Sequence, residues 1–309
     1  MEEFALRTFG LTKKFGGKMV LNNVSMNIRK GDIYGFIGPN GAGKTTAMKI
    51  ILDLLKPTSG EVELFGSMRT SGSLSRVGSL IESPGLYTRC SAIENMKRFS
   101  IICGGTDKDI LFYLRMVGLE GVGNKKIGAF SLGMKQRLGI AIALLGDPEL
   151  LILDEPVNGL DPMGMRDVRD IIQFINKERG VTFFISSHLL GELEKIANVY
   201  GVINCGMLME EITSAELDRR CGFSVRVRCE QQDKALQLLK ENFGVENAQA
   251  EGEFLNIPAD PAVSSKINEV LVTSGIPVHE LTINKMSYED YLLSRMGTLN
   301  VGNGVGQYA

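Results

Sequence analysis

Apolar residues along this chain follow two spacings. Uninterrupted short runs stand at Ile33-Tyr34-Gly35-Phe36-Ile37, at 149–153 (Glu-Leu-Leu-Ile-Leu) and at 181–186 (Val-Thr-Phe-Phe-Ile-Ser). Each is too short for a helix and lacks polar alternation, which predicts strands buried on both faces. Between them, apolar positions recur every three to four residues, the spacing of one helix face. Helices are predicted over 45–55, where Met48, Ile51, Leu52 and Leu55 share a face, and over 91–103, 107–118, 132–145, 163–179 and 189–197. Strand-like stretches at 4–7 and 24–28 are set off by turns at Gly16-Gly17 and Lys30-Gly31-Asp32, and Pro57-Thr58-Ser59-Gly60 ends the 45–55 helix. Buried strands alternating with helices predict an α/β fold, a mainly parallel sheet covered by helices.

The pattern changes near Cys221-Gly222. Beyond it the predicted order is strand 223–229, helix 233–243, strands 246–250 and 253–257, helix 261–274, strand 278–283 and helix 287–296, a small α+β unit of ferredoxin-like order. The expected domains are therefore 1–221, with a mostly helical part at about 85–145, and 222–296. The tail 297–309, rich in glycine and asparagine, is expected to be disordered.

Charge and cysteine content narrow the function classes. Lys and Arg number 34 against 36 Asp and Glu, a formal charge of −2, and no Lys/Arg-rich patch predicts a nucleic-acid partner. No basic segment followed by an apolar one marks a secretory signal. No run reaches the ~18 to 20 apolar residues of a membrane span, so a membrane partner would be a separate chain. The five cysteines are scattered without a C-x-x-C pair, as free thiols in a reducing compartment are.

The chemistry begins where the first buried run ends. Gly38-Pro39-Asn40-Gly41-Ala42-Gly43-Lys44-Thr45-Thr46 fits the phosphate-loop spacing G-x-x-x-x-G-K-T between an apolar strand and an apolar-periodic helix. Glycines let the backbone wrap phosphates with its N–H groups pointing inward, and the helix start aims its partial positive charge at them. Lys44 is expected on the β- and γ-phosphates and Thr45 on Mg²⁺, so the loop implies ATP or a closely similar Mg-nucleotide. A second apolar run ends in Asp154-Glu155-Pro156. Asp154 is expected to hold Mg²⁺. Glu155, turned to another side as strand neighbours are, is expected to polarise a water as general base.

With these motifs in order, the chain resembles the nucleotide-binding subunit of ABC transporters over roughly residues 3–215. The resemblance implies a P-loop NTPase fold with a mainly parallel core, an antiparallel β subdomain and a helical subdomain. Phe130-Ser131-Leu132-Gly133-Met134 resembles the family's signature loop, usually Leu-Ser-Gly-Gly-Gln; Ser131 and Gly133 survive, the other three do not. Ser131 caps the following helix and Gly133 keeps its first turn open, which makes the helix end an anion site, and the resemblance implies that it contacts the γ-phosphate held by an opposite subunit. Asn158-Gly159-Leu160-Asp161-Pro162 resembles the D-loop, which implies a contact of Asp161 across a homodimer. Ser186-Ser187-His188 resembles the switch position, where His188 bonds the γ-phosphate and orients the water. Phe15 stands at the family's adenine-stacking aromatic.

At Leu80-Ile81-Glu82-Ser83 the family usually has Gln where this chain has Glu82. That departure, with Ser131-Leu132-Gly133-Met134-Lys135-Gln136, resembles the bacitracin and lantibiotic exporter branch. A carboxylate is a stronger Mg²⁺ ligand than an amide. The resemblance thus implies an ATPase on the cytoplasmic face of the membrane, held there by an integral membrane permease on a separate chain and energising export of an antimicrobial peptide or similar amphiphile. The competing expectation is a non-transport ABC ATPase acting on ribosomes or DNA. Against it stand the single phosphate loop and the lack of a basic patch.

Overall fold

The computed structural model describes residues 3–103, 106–245, 248–285, 287, 288 and 291. They form two compact units, one running to Ser214 and the other beginning at Ala215. The strands are β1 (Phe4–Phe15), β2 (Lys18–Val24), β3 (Asn27–Arg29), β4 (Ile33–Ile37), β5 (Ser59–Leu64), β6 (Ser67–Met68), β7 (Val77–Leu80), β8 (Leu150–Asp154), β9 (Thr182–Ser187), β10 (Val199–Asn204) and β11 (Met207–Thr213) in the first unit. β12 (Phe223–Cys229), β13 (Gln249–Glu251), β14 (Phe254–Pro258) and β15 (Val278–Lys285) make the second.

The central sheet of the first unit runs β11-β10-β4-β9-β8-β7, parallel throughout except for β11, which pairs antiparallel with β10. Every residue of β4, β8 and β9 is buried, as strands covered on both faces must be. An antiparallel sheet, β2-β1-β5-β6 with β3 on β1, shares its core with the helix Lys44–Ile51, through Leu6, Met26, Met48 and Phe184 among others. Phe184 also stacks against Phe36 at 5.3 Å and Tyr34 at 5.7 Å between ring centres. The three helices Ala92–Cys103, Asp107–Met116 and Leu132–Ala143 fall where the apolar periodicity puts them. Their starts are set locally. Ser91 and Glu94 exchange side-chain and backbone hydrogen bonds, as do Thr106 and Asp109.

Some elements differ from the sequence expectation. The helix expected over 45–55 ends at Ile51, because Asp53 takes a left-handed φ of 59° and the Arg69 guanidinium caps the carbonyls of Ile50 and Ile51. The helix expected over 189–197 is only Leu190–Leu193. Asn198 is bonded to both ends of the Ile33 peptide region, its Oδ1 accepting from Ile33 N–H and its N–H donating to Ile33 O, which turns the chain into β10. Residues 59–80 and 199–213 carry β5, β6, β7, β10 and β11, none of which is among the expected strands.

The second unit has the order β12, helix Gln232–Phe243, β13, β14, helix Ser264–Thr273, β15, with an antiparallel sheet β13-β14-β12-β15. That is the split βαβ arrangement. Val225, Val227, Leu239, Leu255, Ile267 and Leu271 fill its core. The segment expected as one helix over 261–274 begins as a 3₁₀ turn, Pro261–Val263, capped by Asp260. The helix Ser214–Arg220 precedes the composition break, and its Arg220 donates to the Tyr291 hydroxyl at 2.9 Å within this unit. Most of the expected helix 287–296 and the tail 297–309 lie outside the described residues.

Candidate functional site

The loop after β4 is pinned on three sides by backbone bonds. Gly38 N–H donates to Ser187 O at the end of β9, Ala42 N–H to Pro39 O, and Gly206 N–H to Ala42 O. Two of its glycines are sterically required. A Cβ on Gly38 would sit 2.2 Å from Ile203 O, and one on Gly43, at φ 108°, 2.7 Å from Leu21 Cδ2. Gly43 also stands at the helix start without any side-chain cap. The first-turn N–H groups of Lys44–Ile51 therefore face the cleft as anion donors. The cleft measures about 280 Å³ and is lined by the loop, the first helical turn, Val20 and Glu155.

Lys44 is buried, 6% exposed, and its ammonium donates to Gly38 O at 2.7 Å and Pro39 O at 3.2 Å. It also lies 3.3 Å from Glu155 Oε1. Asn40, Gly41 and Thr46 complete the rim.

β8 delivers the acids. Asp154 is its last residue; one carboxylate oxygen accepts from the Thr45 hydroxyl at 2.8 Å and the other from the Ser186 hydroxyl at 2.5 Å. The same Ser186 oxygen accepts the Glu155 N–H at 2.9 Å. Glu155 lies beyond the strand. Its direction comes from a left-handed φ of 49°, not from the strand alternation the sequence suggests. A non-glycine residue there costs about 1–2 kcal/mol, held in place by surrounding bonds. The turn sets Glu155 Oε2 2.7 Å from His188 Nδ1, and His188 N–H donates to the same oxygen at 3.4 Å. Lys44, Glu155 and His188 thus converge from the helix that follows β4 and from the residues just beyond the ends of β8 and β9. Ser186, wholly buried, stands in the switch motif but has no role of its own in the sequence reading; the structure makes it the bridge between Asp154 and the Glu155 backbone.

The Thr45 hydroxyl and Asp154 carboxylate, side by side at the uncapped helix end, are hard oxygen donors of the kind Mg²⁺ takes. Among the described residues no three His, Cys, Asp or Glu side chains gather into a metal cluster. Glu82 is not brought to this pair. It too has a left-handed φ, 62°, and its carboxylate bonds the Lys49 ammonium at 2.6 Å.

Ser131, Gly133 and Asp161 gather in a second cleft of about 400 Å³, whose lining shares no residue with the first. Ser131 caps the helix Leu132–Ala143 by accepting from Met134 N–H, and Asp161 caps Pro162–Arg179 by accepting from Gly164 N–H at 2.9 Å. Two helix starts therefore open on one surface. Phe15 ends β1, half exposed, with the Lys13 ammonium 4.9 Å above its ring. It pairs in register with Lys18 of β2, the strand whose Val20 lines the phosphate cleft.

The ABC transporter family profile matches residues 21–158. The chain is 40% identical to the bacitracin transport ATP-binding protein BcrA of Bacillus licheniformis, over 96% of this chain and 99% of that one. It is 47% identical to the lantibiotic transport ATP-binding protein SrtF of Streptococcus pyogenes, over 67% of this chain and 90% of that one. Among solved structures it is similar to the ADP conformation of MJ1267, an ATP-binding cassette of an ABC transporter, at 25% identity and TM-score 0.64, covering 70% of this chain and 93% of that one. The dimeric post-hydrolysis cassette MJ0796 bound to ADP and Pi matches at 27% identity and TM-score 0.60, over 67% of this chain and 98% of that one.

Proposed function

The chain belongs to the ATP-binding subunits of ABC transporters, and from that premise we propose that its ATP hydrolysis drives export of an antimicrobial peptide, bacitracin-like in amphiphilic character, through a permease on a separate chain. The observation that carries the reading is the convergence of Lys44, Glu155 and His188 beside an uncapped helix start. The bacitracin-transport relative supports the substrate class, since its match extends over both units and not only the cassette. No described helix is long and apolar enough to cross a membrane, which is compatible with a separate permease that would hold the chain at the cytoplasmic face.

The residues act as follows. Phe15 stacks on the adenine, and backbone N–H groups of the glycine loop and of the first turn of Lys44–Ile51 take the phosphates. Lys44 exchanges its carbonyl partners for β- and γ-phosphate oxygens, leaving Glu155 free of its ion pair. Thr45 and Asp154 are the residues that would hold Mg²⁺, which would supply charge neutralisation on the phosphates. Glu155 takes a proton from the attacking water, and His188 orients that water and donates to the γ-phosphate. Ser186 fixes Asp154 and the Glu155 backbone relative to each other. In a two-fold homodimer, Ser131, Gly133 and Asp161 of one protomer face the nucleotide of the other. Their grouping in a cleft of their own supports this, as does the dimeric relative.

The test is a pull-down of the tagged chain from detergent-solubilised membranes, together with bacitracin susceptibility of cells lacking the chain. An integral membrane protein should accompany it, and its loss should raise susceptibility severalfold. Recovery of ribosomes or DNA in place of a membrane protein would overturn the reading.

Glu82 gives a finer prediction. Its pair with Lys49 is largely exposed and worth at most about 1 kcal/mol, so the carboxylate is easily released toward Mg²⁺ or a basic group of the permease. Glu82→Gln should keep ATP affinity and lower peptide resistance. Wild-type resistance in that variant would remove Glu82 from both roles.

A further inference from the structure

One helix joins the second cleft to the segment that follows His188. Pro162–Arg179 starts at Asp161 in the second cleft. Further along, the Asp167 carboxylate lies 3.7 Å from the Arg137 guanidinium on the helix that Ser131 caps. Eight residues from its cap, about 12 Å along the axis, Arg169 pairs with Glu192. One turn on, Gln173 donates to Lys195 O at 2.9 Å, and the Lys195 ammonium donates to the other Glu192 oxygen at 2.9 Å. Glu192 sits in the short helix Leu190–Leu193, four residues after His188. Leu190 and Leu193 of that helix are buried, so it cannot shift without disturbing the core.

The Arg169 and Glu192 side chains are only 14% and 18% exposed. Burial pushes the Glu192 carboxyl up, but the Lys195 and Arg169 cations outweigh it and hold the group below the ordinary carboxylate range. For stability alone such a pair is a poor device, because desolvation of both charges cancels most of their attraction. What such a pair supplies is registry: the planar guanidinium and the carboxylate meet best in one geometry, and although Lys195 also faces Glu192, displacing either member of the pair loses that contact.

We propose that Arg169 and Glu192 are a positioning pair that ties the dimer-facing Asp161 helix to the segment carrying His188, so that closure of the second cleft on a partner sets the imidazole of the first. The proposal rests on the ATPase reading of His188 above. It makes the helix a strut between two nucleotide sites: one end meets the partner's nucleotide and its flank holds the switch histidine of its own.

A double-mutant cycle in the full chain tests it. Arg169→Met should lower kcat about tenfold while nucleotide Kd stays within about twofold. Added to His188→Ala, the same substitution should cost nothing further, because a group that acts only through the imidazole has nothing left to position. Glu192→Gln should behave in the same way. Where Arg169→Met does not fold, Arg169→Lys, which keeps the charge and loses the planar fork, should show the same pattern at smaller amplitude. An unchanged kcat in the foldable variant overturns the proposal. So do losses that multiply in the His188→Ala background, and so does a fall in kcat matched by falls in affinity and Tm. If His188→Ala by itself leaves kcat unchanged, the histidine assignment fails and the positioning pair fails with it; multiplying losses sink the pair alone.

Discussion

Replacing Glu155 by glutamine should leave ATP binding intact and slow hydrolysis by about a thousandfold, the scale expected for removal of a positioned general base. Glutamine keeps the shape of the side chain and meets the same left-handed backbone cost as glutamate at φ 49°. Its carbonyl oxygen can still accept from His188, which now lies 2.7 Å from the carboxylate. What it cannot do is take a proton from water. It also carries no charge to pair with Lys44 at 3.3 Å, so the ammonium is released to the phosphates and binding does not weaken. With ATP bound and uncleaved, two protomers should stay closed, visible as an ATP-dependent dimer by size-exclusion chromatography. Steady-state turnover at the wild-type rate would show that another group activates the water.

Lys44→Ala acts on the other half of the site and should weaken ATP binding by about a hundredfold or more, the loss that follows truncation of one partner in a buried charge pair. The ammonium is 6% exposed and already bonded to Gly38 O and Pro39 O, so it waits at the mouth of the loop within reach of bound phosphate. Alanine removes the cation and leaves Glu155 facing the phosphates without a counter-charge, which adds repulsion to the lost attraction. Titration with a fluorescent nucleotide reads the change directly. Lys44→Met, close in volume and apolar along the stem, separates lost charge from lost packing and should weaken binding to a similar degree. Near wild-type affinity in both variants would mean that the backbone N–H groups alone hold the nucleotide.

Much of the site is legible without coordinates because its parts are local. A strand, a glycine loop and a helix in direct succession can only bring backbone N–H groups to one point, so residues 38–46 announce a phosphate. The caps of Ser131 and Asp161 are also local, each bonding a residue three positions on. The long apolar runs at β4, β8 and β9 reveal the buried parallel centre. β5, with its Glu-Val-Glu-Leu alternation, and β11, with Glu210 and Glu211 in its middle, carry too little apolar contrast to stand out, whereas the Val199-Tyr200-Gly201-Val202-Ile203 run of β10 is as apolar as β4 and carries the same signal. The 189–197 helix was legible as periodicity, yet Asn198 cuts it short through bonds to a strand 165 residues away.

From the amino-acid order alone follow the phosphate loop, the acids at the end of an apolar run, the helix caps and the family these resemble, since each depends on neighbours a few residues apart. The relations among them do not follow. Thr45 meets Asp154 across 109 residues and Glu155 meets His188 across 33. These contacts exist because the sheet order β4-β9-β8 sets three strand ends side by side. The direction of Glu155 depends on a strained turn that its own residue type disfavours, so only surrounding contacts can impose it. Glu82 is held by Lys49 and Glu192 by Arg169 for the same reason: charged partners are chosen by proximity in the folded chain, and a linear pattern carries no record of which side chains packing will bring together.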